Sequence, residues 1–154
     1  MSIYEKELDK NSANYQSLSP ISFLSRTRRV FPNHQAVAYG KIKRSYAEAS
    51  NRCDLLSSAL TSKGIAKNDT VSVMLPNIPE MWECHFGVPM SGAVLNSINT
   101  RLDASTVGFI LKHSEAKLFI FDSEYSKCVG EALKCLDKVP TMIEVVDEVA
   151  GNNE

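Results

Sequence analysis

Residues 71–103 read V-S-V-M-L-P-N-I-P-E-M-W-E-C-H-F-G-V-P-M-S-G-A-V-L-N-S-I-N-T-R-L-D, and this run decides the fold. Thr70 to Leu75 has the alternation of a buried strand, following a turn at Asn68-Asp69. After Pro76-Asn77 a helix starts near Pro79, whose fixed φ and missing N–H suit a first turn, and runs through Trp82 and Phe86 toward Met90. Pro89 cannot donate to the carbonyl of His85, so the last turn should kink or tighten. Gly92 releases the chain into Ala93–Ile98, a second short apolar strand, and Asp103 caps the next helix. Strand, helix, strand and cap follow with almost no spare residues.

The flanks repeat the alternation. Upstream, Pro20 to about Phe31 reads as a helix with Ile21, Leu24, Arg28 and Phe31 on one face, stopped by Pro32. Gln35–Tyr39 and Lys41–Arg44 form a hairpin-like pair around Gly40. Ser45-Tyr46-Ala47-Glu48 is a capping box, in which the serine oxygen accepts the N–H three residues on and the glutamate reaches back. The helix it opens carries Tyr46, Ala49, Cys53, Leu56 and Leu60 at spacings of three and four, and Gly64 closes it. Downstream, a helix to about His113 is followed by a strand at Lys117–Phe121, then a helix from a Ser123 cap to about Leu136. The closing residues begin like another strand at Val145. Such alternation predicts an α/β fold with helices covering a largely parallel sheet.

Composition narrows the function classes. The 154 residues are 44% hydrophobic and 23% charged, enough for one ordinary globular core. Seventeen basic residues face eighteen acidic ones, so the net charge of -1 provides no field for nucleic acid or an anionic membrane. No run approaches the roughly 18 apolar residues of a membrane span, and the charged N-terminus has no secretory pattern. The four cysteines lack a C-x-x-C pair, which makes a reducing cytoplasm the simplest compartment.

Candidate chemistry is sparse. Gly87 to Gly92 has the gap of a P-loop without its lysine and hydroxyl, and helix-to-strand packing explains it better. His34, His85 and His113 are scattered, and no metal-ligand spacing or nucleophile turn accompanies them. His85 reads as a hydrogen-bonded histidine on a buried helix. Arg26, Arg28, Arg29, Lys41, Lys43 and Arg44 read as a solvated face. Asn99-Thr100-Arg101 follows a strand and precedes a helix, where open α/β sheets bind ligands, and Arg101 suits a phosphate. Asp103 competes, because its carboxylate occupies the helix N-terminus an anion would use. Loop structure and ligand contact both remain open there.

The wording adds a resemblance. Ala13-Asn14-Tyr15, Leu18 to Leu24, Ser45 to Glu48, Asp69 to Glu80 and His85 to Asn96 resemble the start of the adenylate-forming (AMP-binding) superfamily. Within it, H-F-G-V-P-M and N-T-R-L-D look like acyl-CoA synthetases of the acyl-activating, butyrate-CoA-ligase-like branch. The resemblance implies an ATP-dependent ligase of short or medium-chain fatty acids. A carboxylate attacks the α-phosphate of ATP with Mg2+ on the departing pyrophosphate, and the acyl-adenylate passes its acyl group to coenzyme A.

Only the two early scaffold motifs of that superfamily match, around Ser45 to Ser50 and Met90 to Asn96. No catalytic or metal-binding residue carries over, and Asn99 and Arg101 are the only cofactor-binding candidates, near the coenzyme A nucleotide. The resemblance thus implies an N-terminal arm (1–19), the start of an AMP-binding large domain (20–147), incomplete as a domain, and a truncated end (148–154). Such a fragment, lacking the phosphate loop and catalytic lysine, would be inactive and bind ATP, Mg2+ and coenzyme A weakly if at all. Its partner would be the remainder of the ligase, with no nucleic acid or membrane span involved. The alternative is a stand-alone noncatalytic module that binds a nucleotide, coenzyme A or a partner.

Overall fold

The computed structural model describes residues 9–13, 15–16, 18–147 and 149. The arm assigned to 1–19 and the end assigned to 148–154 therefore lie largely outside the described residues. Helix α1 (Pro20–Val30) opens on a capping box of two serines: Ser19 Oγ accepts the Ser22 N–H, and Ser22 Oγ accepts the Ser19 N–H, both at 3.3 Å. Leu24 is its buried residue, whereas Phe31, expected on the same face, is the cap and stays 44% exposed. Strands β1 (Gln35–Tyr39) and β2 (Ile42–Ser45) pair antiparallel as a separate two-stranded sheet. Gly40 turns between them at φ 52.

Helix α2 (Tyr46–Ser62) begins at the Ser45–Glu48 box, with Glu48 Oε2 accepting the Ser45 N–H at 2.8 Å. Next come β3 (Thr70–Met74), α3 (Pro79–Met90), β4 (Val94–Ser97), α4 (Ala104–His113) and β5 (Leu118–Asp122). A 3₁₀ turn (Ser123–Tyr125), α5 (Ser126–Leu133) and β6 (Thr141–Val145) complete the described fold. The four later strands form one parallel sheet in the order β4-β3-β5-β6. This is the expected α/β arrangement, with helices on both faces.

Period-two alternation divides the core. Val71, Val73, Leu118 and Ile120 face α2 and α3, where Leu60, Cys84 and Val88 cover them. Met74, Phe119 and Phe121 face α4 and α5, beneath Val107, Leu111, Val129 and Ala132. Among the described residues, no helix is long and apolar enough to cross a membrane.

Some of these expectations hold and others shift. Pro89 tightens the last turn of α3 as expected, without breaking the helix. Standing one residue from the end, it removes a single bond, and the turn tightens with Ser91 N–H on Val88 O at 3.1 Å and Gly92 N–H on Pro89 O at 3.0 Å. Gly87 serves helix–helix rather than helix–strand packing: a Cβ there would lie 2.8 Å from Leu56 Cδ2 and 3.0 Å from the Cys53 carbonyl on α2. Ser123 is not the cap of the last helix. Asp122 takes the turn first, accepting the Glu124 N–H at 2.9 Å, so α5 starts only at Ser126 and ends at Leu133. The final strand begins four residues before Val145, since Thr141-Met142-Ile143-Glu144-Val145 continues the parallel register opposite Leu118 to Asp122.

Candidate functional site

The carboxyl ends of β3, β4, β5 and β6 lie along one edge of the sheet, the edge where open parallel sheets place ligands. The loops leaving that edge supply Asn77, the 99–103 segment, Asp122 and Asp147. Asn99 and Arg101 are both exposed, and they meet within one local turn: Asn99 Oδ1 accepts the Arg101 N–H at 3.0 Å. Arg101 thus leaves the sheet edge with its guanidinium in solvent.

Asp103 holds the start of α4 as the sequence suggests. Its Oδ1 accepts the Thr106 N–H at 3.0 Å and the Ser105 hydroxyl at 2.5 Å, and its Oδ2 accepts the Thr106 hydroxyl at 2.8 Å. The two hydroxyls and then the backbone donor hold its pKa far below the usual carboxylate range. An anion approaching Arg101 therefore meets a fixed negative charge two residues away. Behind the loop, burial pushes the Tyr125 hydroxyl up, while its hydrogen bond with Thr100 pulls the other way.

Asp122 closes β5 with 3% of its surface exposed. One carboxylate oxygen caps the 3₁₀ turn, and Oδ2 has no partner among the described residues. Nearby, the Tyr39 hydroxyl of the hairpin donates to Asp147. That bond, with burial and the neighbouring carboxylates of Asp147, Asp122 and Glu80, raises the tyrosine to about 12. The hairpin is thereby tied to the carboxyl edge.

Between the hairpin and α3 opens a cleft of about 610 Å3, lined chiefly by Ala36, Tyr39, Asn77, Trp82, His85 and Phe86. The Trp82 and Phe86 rings pack tilted at 49°, 4.7 Å between centroids. His85 is exposed rather than buried as expected, because the residues its helix turns inward are Pro79, Glu83, Cys84, Gly87 and Val88. Its Nδ1 lies 2.8 Å from Met81 O, and since a carbonyl only accepts, Nδ1 is the donor.

Sequence reasoning missed the strongest polar cluster. Arg44, assigned to a solvated face, is drawn inward by Glu83, with Nη1 to Oε1 at 2.6 Å and 17% of its side chain exposed. Arg52 of α2 donates to the same oxygen. A glutamate embedded in the apolar stretch of α3 was the available signal. Arg28 also departs from a purely solvated role, pairing with Asp54 at 2.6 Å. Among the described residues, no set of histidine, cysteine and carboxylate side chains is arranged to hold a metal ion.

Known proteins share this architecture. Residues 24–154 match the AMP-binding enzyme family. A peroxisomal trans-cinnamate:CoA ligase of Petunia hybrida is 47% identical over 84% of this chain and 23% of its own length. A peroxisomal butyrate–CoA ligase of Arabidopsis thaliana is 44% identical over 80% of this chain and 22% of its own. The crystal structure of an anthranilate CoA ligase in complex with anthranoyl-AMP superposes with a TM-score of 0.77 at 21% identity, over 81% of this chain and 24% of that one. The chain thus spans about a quarter of the length of these relatives, and it belongs to the AMP-binding enzyme family.

Proposed function

We propose that these residues form the opening portion of the large domain of an ATP-dependent acid–CoA ligase, one that makes an acyl-CoA through an acyl-adenylate. The supporting observation is the match over residues 24–154 to a family whose similar members are named as CoA ligases of carboxylic acids. The acid is taken to be a short or medium-chain fatty acid, with the aromatic acids named for the relatives as competitors. Only a substrate panel on the whole ligase separates these.

Within that reading the chain is scaffold. Its sheet places the carboxyl edge, and Asn99 and Arg101 are the residues on it assigned to the coenzyme A nucleotide, Arg101 through charge-assisted bonds to a phosphate. ATP and Mg2+ belong to the whole ligase. Among the described residues the carboxylates form no cluster that fits a magnesium site. The four free thiols suit a reducing compartment. The cytoplasm is the proposed location, and the peroxisome named for both relatives is the competitor that imaging of the tagged protein decides.

Pyrophosphate exchange tests the assignment of inactivity: the chain alone should give none with butyrate, hexanoate or benzoate. ATP-dependent exchange by the isolated chain would overturn it. The competing reading, a noncatalytic binding module, draws on the cleft beside Trp82. Titration with ATP and with coenzyme A separates the two, since a module saturates and the opening portion of a ligase does not.

A further inference from the structure

Among the described residues no strand pairs with the outer side of β6, and its residues are half-buried or exposed. Met142 faces the core beneath α4 and α5. Ile143 and Val145 face the opposite way, into an open trough of about 320 Å3 between α2 and strands β5 and β6. Leu55, Leu56 and Ala59 of α2 form its wall, with Ile120 on the floor, and Leu55 is 61% exposed. The charged groups at its rim, Arg52, Glu80 and Glu83, already bond to one another and to Arg44. Among the described residues, none covers the trough with apolar side chains.

The winding of the sheet indicates what supplies that cover. From β3 the chain steps outward to β4, and the intervening α3 lies on the face of Ile143. From β4 to β5, and again from β5 to β6, it steps the other way, and α4 and α5 lie on the face of Met142. All three crossovers share one hand, as parallel crossovers do. Another step outward beyond β6 would put its helix on the Met142 face once more. A helix reaches the trough through a crossover that returns toward β6 from a strand lying farther out.

The edge itself is open to such a strand. Thr141-Met142-Ile143-Glu144-Val145 itself contains neither proline nor lysine and has no bulge against β5; Pro140 stands just before it, Glu144 is its one charge, and Val139 and Val146 are 51% and 67% exposed. Strands meant to remain edges are normally blunted by those devices.

We propose that the trough seats an apolar helix of a returning crossover, and that β6 pairs in parallel with a strand of the same segment. The segment is the part of the ligase polypeptide that packs beside these residues. This rests on the reading of the chain as the opening portion of a ligase. It adds where the next layer docks and from which direction it arrives.

The test expresses the 154-residue chain together with the Petunia hybrida trans-cinnamate:CoA ligase from which the matching stretch has been removed, as two polypeptides. The two should co-elute. Leu55→Asp and Ala59→Glu, both at exposed positions, should weaken that association by about tenfold or more while leaving the chain's own thermal transition in place. Lys127→Glu, on the exposed side of α5, should not. Co-elution indifferent to both trough variants would overturn the seat and leave the ligase reading standing. No co-elution of the unaltered pair would overturn both. A homodimer of the chain alone that Leu55→Asp dissolves would give the trough to a second copy and overturn the proposal.

Discussion

Glu83 on α3 and Arg44 on β2 meet at 2.6 Å across 39 residues of sequence, joining the hairpin to the helix that follows the first parallel strand. The same glutamate oxygen accepts from Arg52 of α2, and Glu80 stands 3.8 Å from Arg44 and 3.6 Å from Arg52. Three elements therefore converge on one carboxylate that is only 5% exposed. Its hydrogen bond is the main reason the Arg52 pKa is raised.

Removing that carboxylate should be costly. Glu83→Ala leaves two guanidiniums facing each other at the α2–α3 junction, and breaking a buried ion pair by deleting one partner costs about 3 kcal/mol. Urea denaturation of the variant and parent measures the difference. Replacing Glu83 and Arg44 together by methionine should recover part of the loss, because only Arg52 then lacks Glu83, and it is 42% exposed and 3.6 Å from Glu80. A double variant as unstable as Glu83→Ala would show that the cluster does not act as a pair.

The contrast between this cluster and the sheet marks what a sequence reveals. Periodicity and caps are local, so β3, α3, β4 and the α2 capping box were legible from neighbouring residues alone. Asp103 was legible as a cap for the same reason. The partners of Arg44 lie 36 and 39 residues away, and a list of basic residues gives no hint of them. The Tyr39–Asp147 bond spans 108 residues. His85 failed for a subtler reason: a helix rich in apolar residues looks buried all round, yet α3 turns its histidine outward between two inward pairs.

Gly87 makes the α2–α3 contact sensitive to a single methyl group. An added Cβ would press on Leu56 Cδ2 at 2.8 Å, which can shift, and on the Cys53 carbonyl at 3.0 Å, which is backbone and cannot. Gly87→Ala gains helix propensity of about 1 kcal/mol. It should still lower stability by about 1–2 kcal/mol in a denaturant titration, because overpacking outweighs the gain. Adding Leu56→Ala should relieve only the Cδ2 contact, because the Cβ of residue 56, also at 3.0 Å, stays with the carbonyl. Full recovery in the double variant would mean that the carbonyl contact is harmless.

Asp103 ties stability to pH. Its folded pKa lies below the unfolded value of about 3.9, so its contribution is complete above that value and is lost as pH falls through the folded pKa. Asp103→Ala should therefore melt lower than the parent at pH 7, with the gap closing as the pH is taken below about 4. Thermal melts across that range read the gap directly. A constant difference from pH 7 down to strongly acid conditions would remove the charge from the explanation and leave only side-chain shape.

The thiols should separate by location. Cys53 and Cys84 are buried between α2 and α3, and burial is the largest cause of their pKa values rising to about 12, so neither supplies thiolate at ordinary pH. Cys135 is exposed, and Cys128 is partly buried with its Sγ 3.7 Å from the Leu102 carbonyl. An aromatic disulfide reagent at pH 8 should label Cys135 rapidly and Cys128 slowly, with Cys53 and Cys84 reacting only in denaturant. Peptide mass mapping assigns each label. Fast labelling of Cys84 in the native chain would mean that α3 opens from α2 without global unfolding, and the Glu83 cluster would then not be holding that junction shut.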